Sequence, residues 1–155
     1  MNEAIAIDSD QDAPELILER DLNYPVDMVF KAWTDAAALS QWMGPVGFSA
    51  PDSEFDARVG GAYVIPMTSP DGSVHTARGT VLELVPNEKL RISWAWDQED
   101  GSPGHQMELA LSFRATADGT RLVLHHTKFI DEQARDQHNQ GWTGSIDKLQ
   151  TYLTG

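Results

Sequence analysis

The stretch from Asp131 to Leu153 constrains this chain most, because Trp142, Ile146, Leu149 and Leu153 recur at steps of four, three and four. That spacing puts the four side chains on one stripe of an α-helix. The stripe continues backwards through His138 and Ala134, while Asp147, Lys148 and Gln150 are expected to face away. A helix of this length runs roughly 30 Å, about the width of a small domain. Its apolar stripe can be buried only against a broad surface built by the rest of the chain.

The preceding residues read mostly as strand. Glu15 to Leu22 forms a first strand. Pro25 then suits the first position of a helix, since its fixed φ fits and its missing N–H costs nothing there. Val26, Val29, Phe30 and Trp33 share one face of that helix. Asp35 caps a second short helix with Leu39 and Trp42 inward, and Gly44-Pro45 ends it. From Phe48 to Phe129 apolar residues recur at every second position, and Gly, Pro, Asp and Asn punctuate the segments, which is the pattern of an antiparallel meander. Tyr63, Ile65 and Met67 share a face, as do Leu90, Ile92, Trp94 and Trp96. The same alternation aligns Met107, Leu109, Leu111 and Phe113, and then Leu122, Leu124 and His126. Gly79, inside the segment from Val74 to Val85, predicts a bend or bulge. The expected architecture is α+β: a curved antiparallel sheet of about six to seven strands, two short helices after the first strand, and a long C-terminal helix on the concave side. This is the helix-grip arrangement, and it leaves a cavity wherever helix and sheet fit incompletely.

With 155 residues the chain is expected to form one domain, over residues 14–155, behind a frayed polar leader at residues 1–13. A formal charge of −13 and an isoelectric point near 4.5 repel phosphate backbones and anionic membrane surfaces. The absence of cysteine excludes disulfides, thiolate nucleophiles and iron–sulfur clusters. Neither a positively charged leader segment nor a long apolar run occurs, which predicts a cytoplasmic protein without membrane insertion. Asp8, Asp10, Asp12 and Glu19 fall at the ligand spacings of a calcium loop. Ala13 stands where that loop's sharp turn needs Gly, and Pro14 follows, so no calcium site is expected.

Several short runs carry a family resemblance. Phe30-Lys-Ala-Trp-Thr-Asp, Gln41-Trp-Met-Gly-Pro, Asp56-x-Arg58-x-Gly60-Gly61-x-Tyr63, Ser69-Pro-Asp-Gly, Arg78-Gly-Thr-Val-Leu-Glu-Leu-Val-Pro, Trp94-x-Trp96, Thr120-x-Leu-x-Leu-x-His126 and Gly141-Trp142 resemble, in order and spacing, the bacterial family related to the C-terminal domain of the activator of Hsp90 ATPase. That family lies within the START-like, or Bet v 1-like, superfamily. The resemblance covers roughly residues 15 to 153 and implies a helix-grip fold with an internal apolar cavity. It implies little chemistry, because the superfamily hosts lipid carriers, hormone receptors, cyclases and co-chaperone domains. Two positions depart from the pattern: Met43 stands where relatives often have Trp, and Lys128 where they usually have a small residue, most often Gly.

Trp94, Trp96 and Trp142, with Tyr63, Met67, Met107 and Phe113, are candidates to line a pocket for a small apolar or amphipathic molecule. The alternative is that they fill the core. Strand alternation sends His126, and helical spacing His138, toward the same interior, where the two form either a titratable pair or a hydrogen-bonded core histidine beside one at the cavity mouth. Arg58 either pairs with Asp56 or reaches a ligand carboxylate. No cofactor is implied, and no ligand spacing joins these residues into a metal site. Three functions stay open: a small-molecule carrier, a cavity enzyme of cyclase or hydrolase type, and an interaction module for a chaperone or a second copy of the chain. The charge makes one firm prediction. Duplex DNA titrated at moderate salt should show no specific binding, and a salt-dependent submicromolar shift would refute the electrostatic argument.

Overall fold

Alternating polarity makes each long segment extended and drives every second side chain to one face. The computed structural model describes residues 13–155; the acidic spacing at Asp8, Asp10 and Asp12, and nearly all of the expected leader, lie outside the described residues. Among these the strands are β1 (Leu16–Leu22), β2 (Glu54–Phe55), β3 (Ala62–Thr68), β4 (Val74–Val85), β5 (Lys89–Trp96), β6 (Met107–Thr116) and β7 (Gly119–Thr127). They form one antiparallel sheet in the order β1-β7-β6-β5-β4-β3-β2. The first strand therefore pairs with the last, Leu16 opposite His126 and Leu22 opposite Thr120. The helices α1 (Val26–Thr34) and α2 (Ala36–Trp42) carry the chain from that edge to the far one, and α3 (Glu132–Thr154) closes the fold.

One face of the sheet is dry. Tyr63, Ile65 and Met67 of β3, Leu90, Ile92 and Trp94 of β5, and Leu122, Leu124 and His126 of β7 are all buried, as their alternation requires. The other face carries ion pairs, among them Arg121 with Glu19 and Asp21, and Arg91 with Glu83 and Glu108. Pairs this exposed contribute little stability, typically under about 1 kcal/mol each. Their role is to keep the face polar.

The helices begin close to where the sequence places them. Pro25 is the N-cap of α1 rather than its first residue: its ψ of 147° is extended, and its carbonyl accepts the N–H groups of Met28 and Val29 at 3.1 Å. Asp35 caps α2 by accepting the Ala38 N–H at 3.0 Å, and Asp131 caps α3 by accepting that of Ala134 at 2.8 Å. On α3, Trp142, Ile146, Leu149 and Leu153 are buried as the stripe predicts.

Two local expectations change. Lys148 does not face away: it is half-buried, and its Nζ donates to the carbonyls of Gly44, Pro45 and Phe48 at 3.1, 3.2 and 2.8 Å. A flexible four-carbon stem reaches back over the loop that follows α2, and the ammonium replaces water at three carbonyls, of which, among the described residues, only that of Pro45 also accepts a backbone N–H, from Phe48 at 2.9 Å. The irregularity in β4 lies between Val81 and Glu83, not at Gly79. Gly79 instead permits close contact, since a Cβ there would fall 2.2 Å from the Ser93 carbonyl oxygen. Lys128 has a φ of 69°, the left-handed region that glycine enters freely and where a side chain costs about 1–2 kcal/mol. Its ammonium lies 3.8 Å from Glu108.

Leu149 lies on the buried stripe of α3 and has no exposed surface. Leu149→Ala should therefore cost roughly 2–5 kcal/mol in denaturant unfolding, and a loss indistinguishable from zero would refute this packing.

Candidate functional site

The end of β5 places Trp94 and Trp96 on the dry face, one buried and one half-buried, their rings perpendicular at 88°. Opposite them α3 presents Trp142, whose ring centroid lies 5.3 Å from that of Trp94 and 5.9 Å from that of Trp33 on α1. Sheet and helix diverge beyond these contacts and leave an open-ended pocket of about 380 Å³. Met67, His75, Trp94 and Trp96 supply its sheet wall. Gln137, His138, Gly141, Trp142 and Ser145 supply the helix wall. The third wall is the loop after α2, with Met43, Gly44, Pro45 and Phe48, held against α3 by Lys148. Gly144 lets that loop lie flush, because a Cβ there would meet Val46 Cγ2 at 3.0 Å.

Two tryptophan–histidine hydrogen bonds organise the interior. Trp96 Nε1–H donates to His138 Nε2 at 3.0 Å, and His138 Nδ1 lies 2.8 Å from the Ala134 carbonyl. A carbonyl only accepts, so the proton of His138 sits on Nδ1 and Nε2 is the acceptor. Trp142 Nε1–H donates to His126 Nδ1 at 3.0 Å, which leaves the His126 proton on Nε2, buried and without a protein partner among the described residues. The two imidazoles lie 5.0 Å apart, edge to face. Burial, and then the neighbouring His138 and His125, push the His126 pKa well below its ordinary 6.5. Burial also lowers the pKa of His138, partly offset by the Ala134 carbonyl. Both rings are accordingly neutral at pH 7 and serve as acceptors for indole N–H groups.

Of the residues singled out from the sequence, Met67, Trp94, Trp96, His138 and Trp142 come together on the pocket wall. His126 lies outside the lining and orients Trp142. Tyr63 is buried, stacked on Phe55, with its hydroxyl donating to the Ser93 carbonyl at 2.6 Å. Phe113 meets Phe30 of α1 edge-on at 5.1 Å, and Met107 is buried in β6, so both serve the core away from the pocket. Arg58 does not reach the cavity. It lies in the loop before β3, with its side chain 70% exposed and its Nε 2.9 Å from Asp56 Oδ2. Sequence reasoning missed the wall from Met43 to Phe48, since Gly44-Pro45 signals only that a helix ends. It also missed His75, Gln137 and Ser145. Among the described residues no group of three His, Asp or Glu gathers at metal-binding separations.

A curved antiparallel sheet gripping one long helix, with an apolar pocket between them, defines a protein of the START-like, Bet v 1-like class. The chain belongs to the family described as activator of Hsp90 ATPase homolog 1-like protein, whose model matches residues 23–154. The AHSA1 protein of Silicibacter pomeroyi superposes with a TM-score of 0.85 at 28% identity, over 91% of this chain and 98% of its own. A protein of Chromobacterium violaceum gives 0.79 at 29% identity, over 89% and 96%. A solution structure from Arthrobacter aurescens, at 22% identity and a TM-score of 0.82 over 95% and 90%, shares the fold. No curated protein matches the chain. No helix among the described residues is long and apolar enough to cross a membrane.

The histidine pair predicts a pH dependence. A histidine whose folded pKa is depressed binds protons better when unfolded, so its contribution is intact above the unfolded value of 6.5 and is lost as pH falls from there through the folded pKa. Unfolding free energy should drop between pH 7 and pH 5, and drop less in His126→Gln, which removes the titrating group and keeps an acceptor for Trp142. Equal losses in both proteins would show that His126 does not titrate as its burial requires.

Proposed function

We propose that this chain holds a small apolar or amphipathic molecule, in the cytoplasm, within the pocket between sheet and C-terminal helix. The single observation that carries the reading is the open pocket of about 380 Å³ walled by Phe48, Trp94, Trp96 and Trp142. That volume lies in the range of small-molecule sites, and a core that merely filled itself would close it. A ligand losing 200–300 Å² of apolar surface gains roughly 5–7 kcal/mol at about 25 cal/mol per Å². Association costs are of similar size, so the expected affinity is millimolar to micromolar.

The pocket supplies surface rather than reacting groups. The acceptor nitrogens of both histidines are engaged by indole N–H groups, and the remaining N–H of His138 is held by a carbonyl. We therefore assign no acid–base step. The family description names an activator of Hsp90 ATPase; a chaperone or a second copy of this chain is the alternative partner, to be reached through a surface rather than through the pocket.

Gly141 gives the test. A Cβ at this lining position meets only Pro45 Cγ, at 3.5 Å, so Gly141→Leu can enter the pocket without disturbing the helix backbone. Calorimetric titration of the wild type with uncharged aromatics such as 2-naphthamide and flavone should show binding. The folded Gly141→Leu protein should bind at least about tenfold more weakly, about 1.4 kcal/mol. If the wild type binds none of them, the carrier reading falls and the interaction partner is left.

A further inference from the structure

The pocket wall lacks what an anion needs. Its lining contains no Lys and no Arg. Lys148, one turn from the lining residue Ser145, has its ammonium on three loop carbonyls. Arg78, on the strand that carries His75, is bonded twice to Asp97, at 2.6 Å through both Nε and Nη2. Neither cation is free to face a ligand.

The neutral donors are engaged as well. Trp96 and Trp142 direct their N–H groups to His138 and His126. His138 gives its own proton to the Ala134 carbonyl, and Ser145 gives its hydroxyl proton to the Gly141 carbonyl at 2.9 Å. The Trp94 N–H and the His126 Nε2–H have no partner among the described residues, but both are buried away from the pocket surface. A carboxylate moved from water into this space would lose its hydration and find no side-chain donor on the inner wall, a penalty far larger than a neutral amide or hydroxyl meets. The formal charge of −13 adds a long-range repulsion of the same sign. At the exposed rim Gln137 offers an amide, and His75 a ring whose Nε2 lies 3.2 Å from the Ser73 hydroxyl.

Resting on the ligand-pocket reading above, we infer that this site selects uncharged aromatic molecules and rejects their carboxylate counterparts, because its wall offers aromatic surface with neither a cation nor a free inner side-chain donor. Fatty acid anions and aromatic acids are excluded by the same chemistry that admits aromatic amides, alcohols and ketones of equal size. The ring supplies the affinity, through contact with Phe48 and the three indoles. Selection comes from what the wall cannot solvate.

Matched ligands test this directly. At pH 7.5, calorimetry should find 2-naphthamide bound and 2-naphthoate, with the same ring system, bound at least about tenfold more weakly. Gln137→Arg places a cation at the rim on an exposed helix position and should narrow that ratio by threefold or more, by strengthening carboxylate binding relative to the amide. Equal binding of amide and carboxylate by the wild type would overturn the selectivity while leaving the pocket standing. An unchanged ratio in folded Gln137→Arg protein would overturn its electrostatic cause. Failure of both ligands to bind the wild type would remove the pocket reading itself, and the inference with it.

Discussion

Trp142 ties the long C-terminal helix to three other elements at once. Its ring packs against Trp94 of β5 and Trp33 of α1, and its N–H bonds His126 of β7. One residue thereby fixes where α3 lies, along and across the sheet, relative to three other elements. Apolar contact alone is nearly indifferent to sliding, whereas a buried N–H that must meet one ring nitrogen is not. The Trp142–His126 bond therefore sets the helix position, and with it the depth of the pocket beside it. Trp96 and His138 repeat the device one turn earlier on α3, at the half-buried end where the pocket opens.

The second constraint is the loop after α2. It contributes a whole wall, yet of its side chains only Met43 and Phe48 bring large apolar surface to the pocket. Its position comes from the Lys148 ammonium at three carbonyls and from Gly144, which admits the backbone at Val46. Burial lowers the Lys148 pKa, in keeping with an ammonium that has exchanged bulk water for carbonyl dipoles. A helix residue thus holds the loop, and the loop in turn confines the space in front of the helix. The wall and the long helix are a single unit.

This organisation separates two uses of aromatic and histidine side chains that look alike in a sequence. Phe113 and Tyr63 stand on alternating faces as regularly as Trp94, yet they meet Phe30 and Phe55 and end in the core. His126 and His138 differ in the same way, one fully buried and one at the pocket wall. What distinguishes the members of each pair is distance from the place where sheet and helix part. That place is set by curvature, and curvature accumulates over every strand.

The sequence by itself determined the elements and their inner faces. Period-two alternation marked the strands, the steps of four and three marked α3, and Asp35 and Asp131 marked two helix starts, because each signal depends on residues a few positions apart. It also specified the family, through motifs spread over most of the chain. Only the tertiary structure decided that Arg58 stays outside, that Lys148 turns back to the loop, that Gly79 answers to Ser93 rather than to a bulge, and which aromatic residues border the pocket. Arg58 apart, which pairs with Asp56 two positions away, each of those outcomes depends on a partner distant in the chain, such as Gly44 for Lys148, some 104 positions apart. Local spacing carries no information about which distant carbonyl or ring will be within hydrogen-bond reach once the sheet has curved.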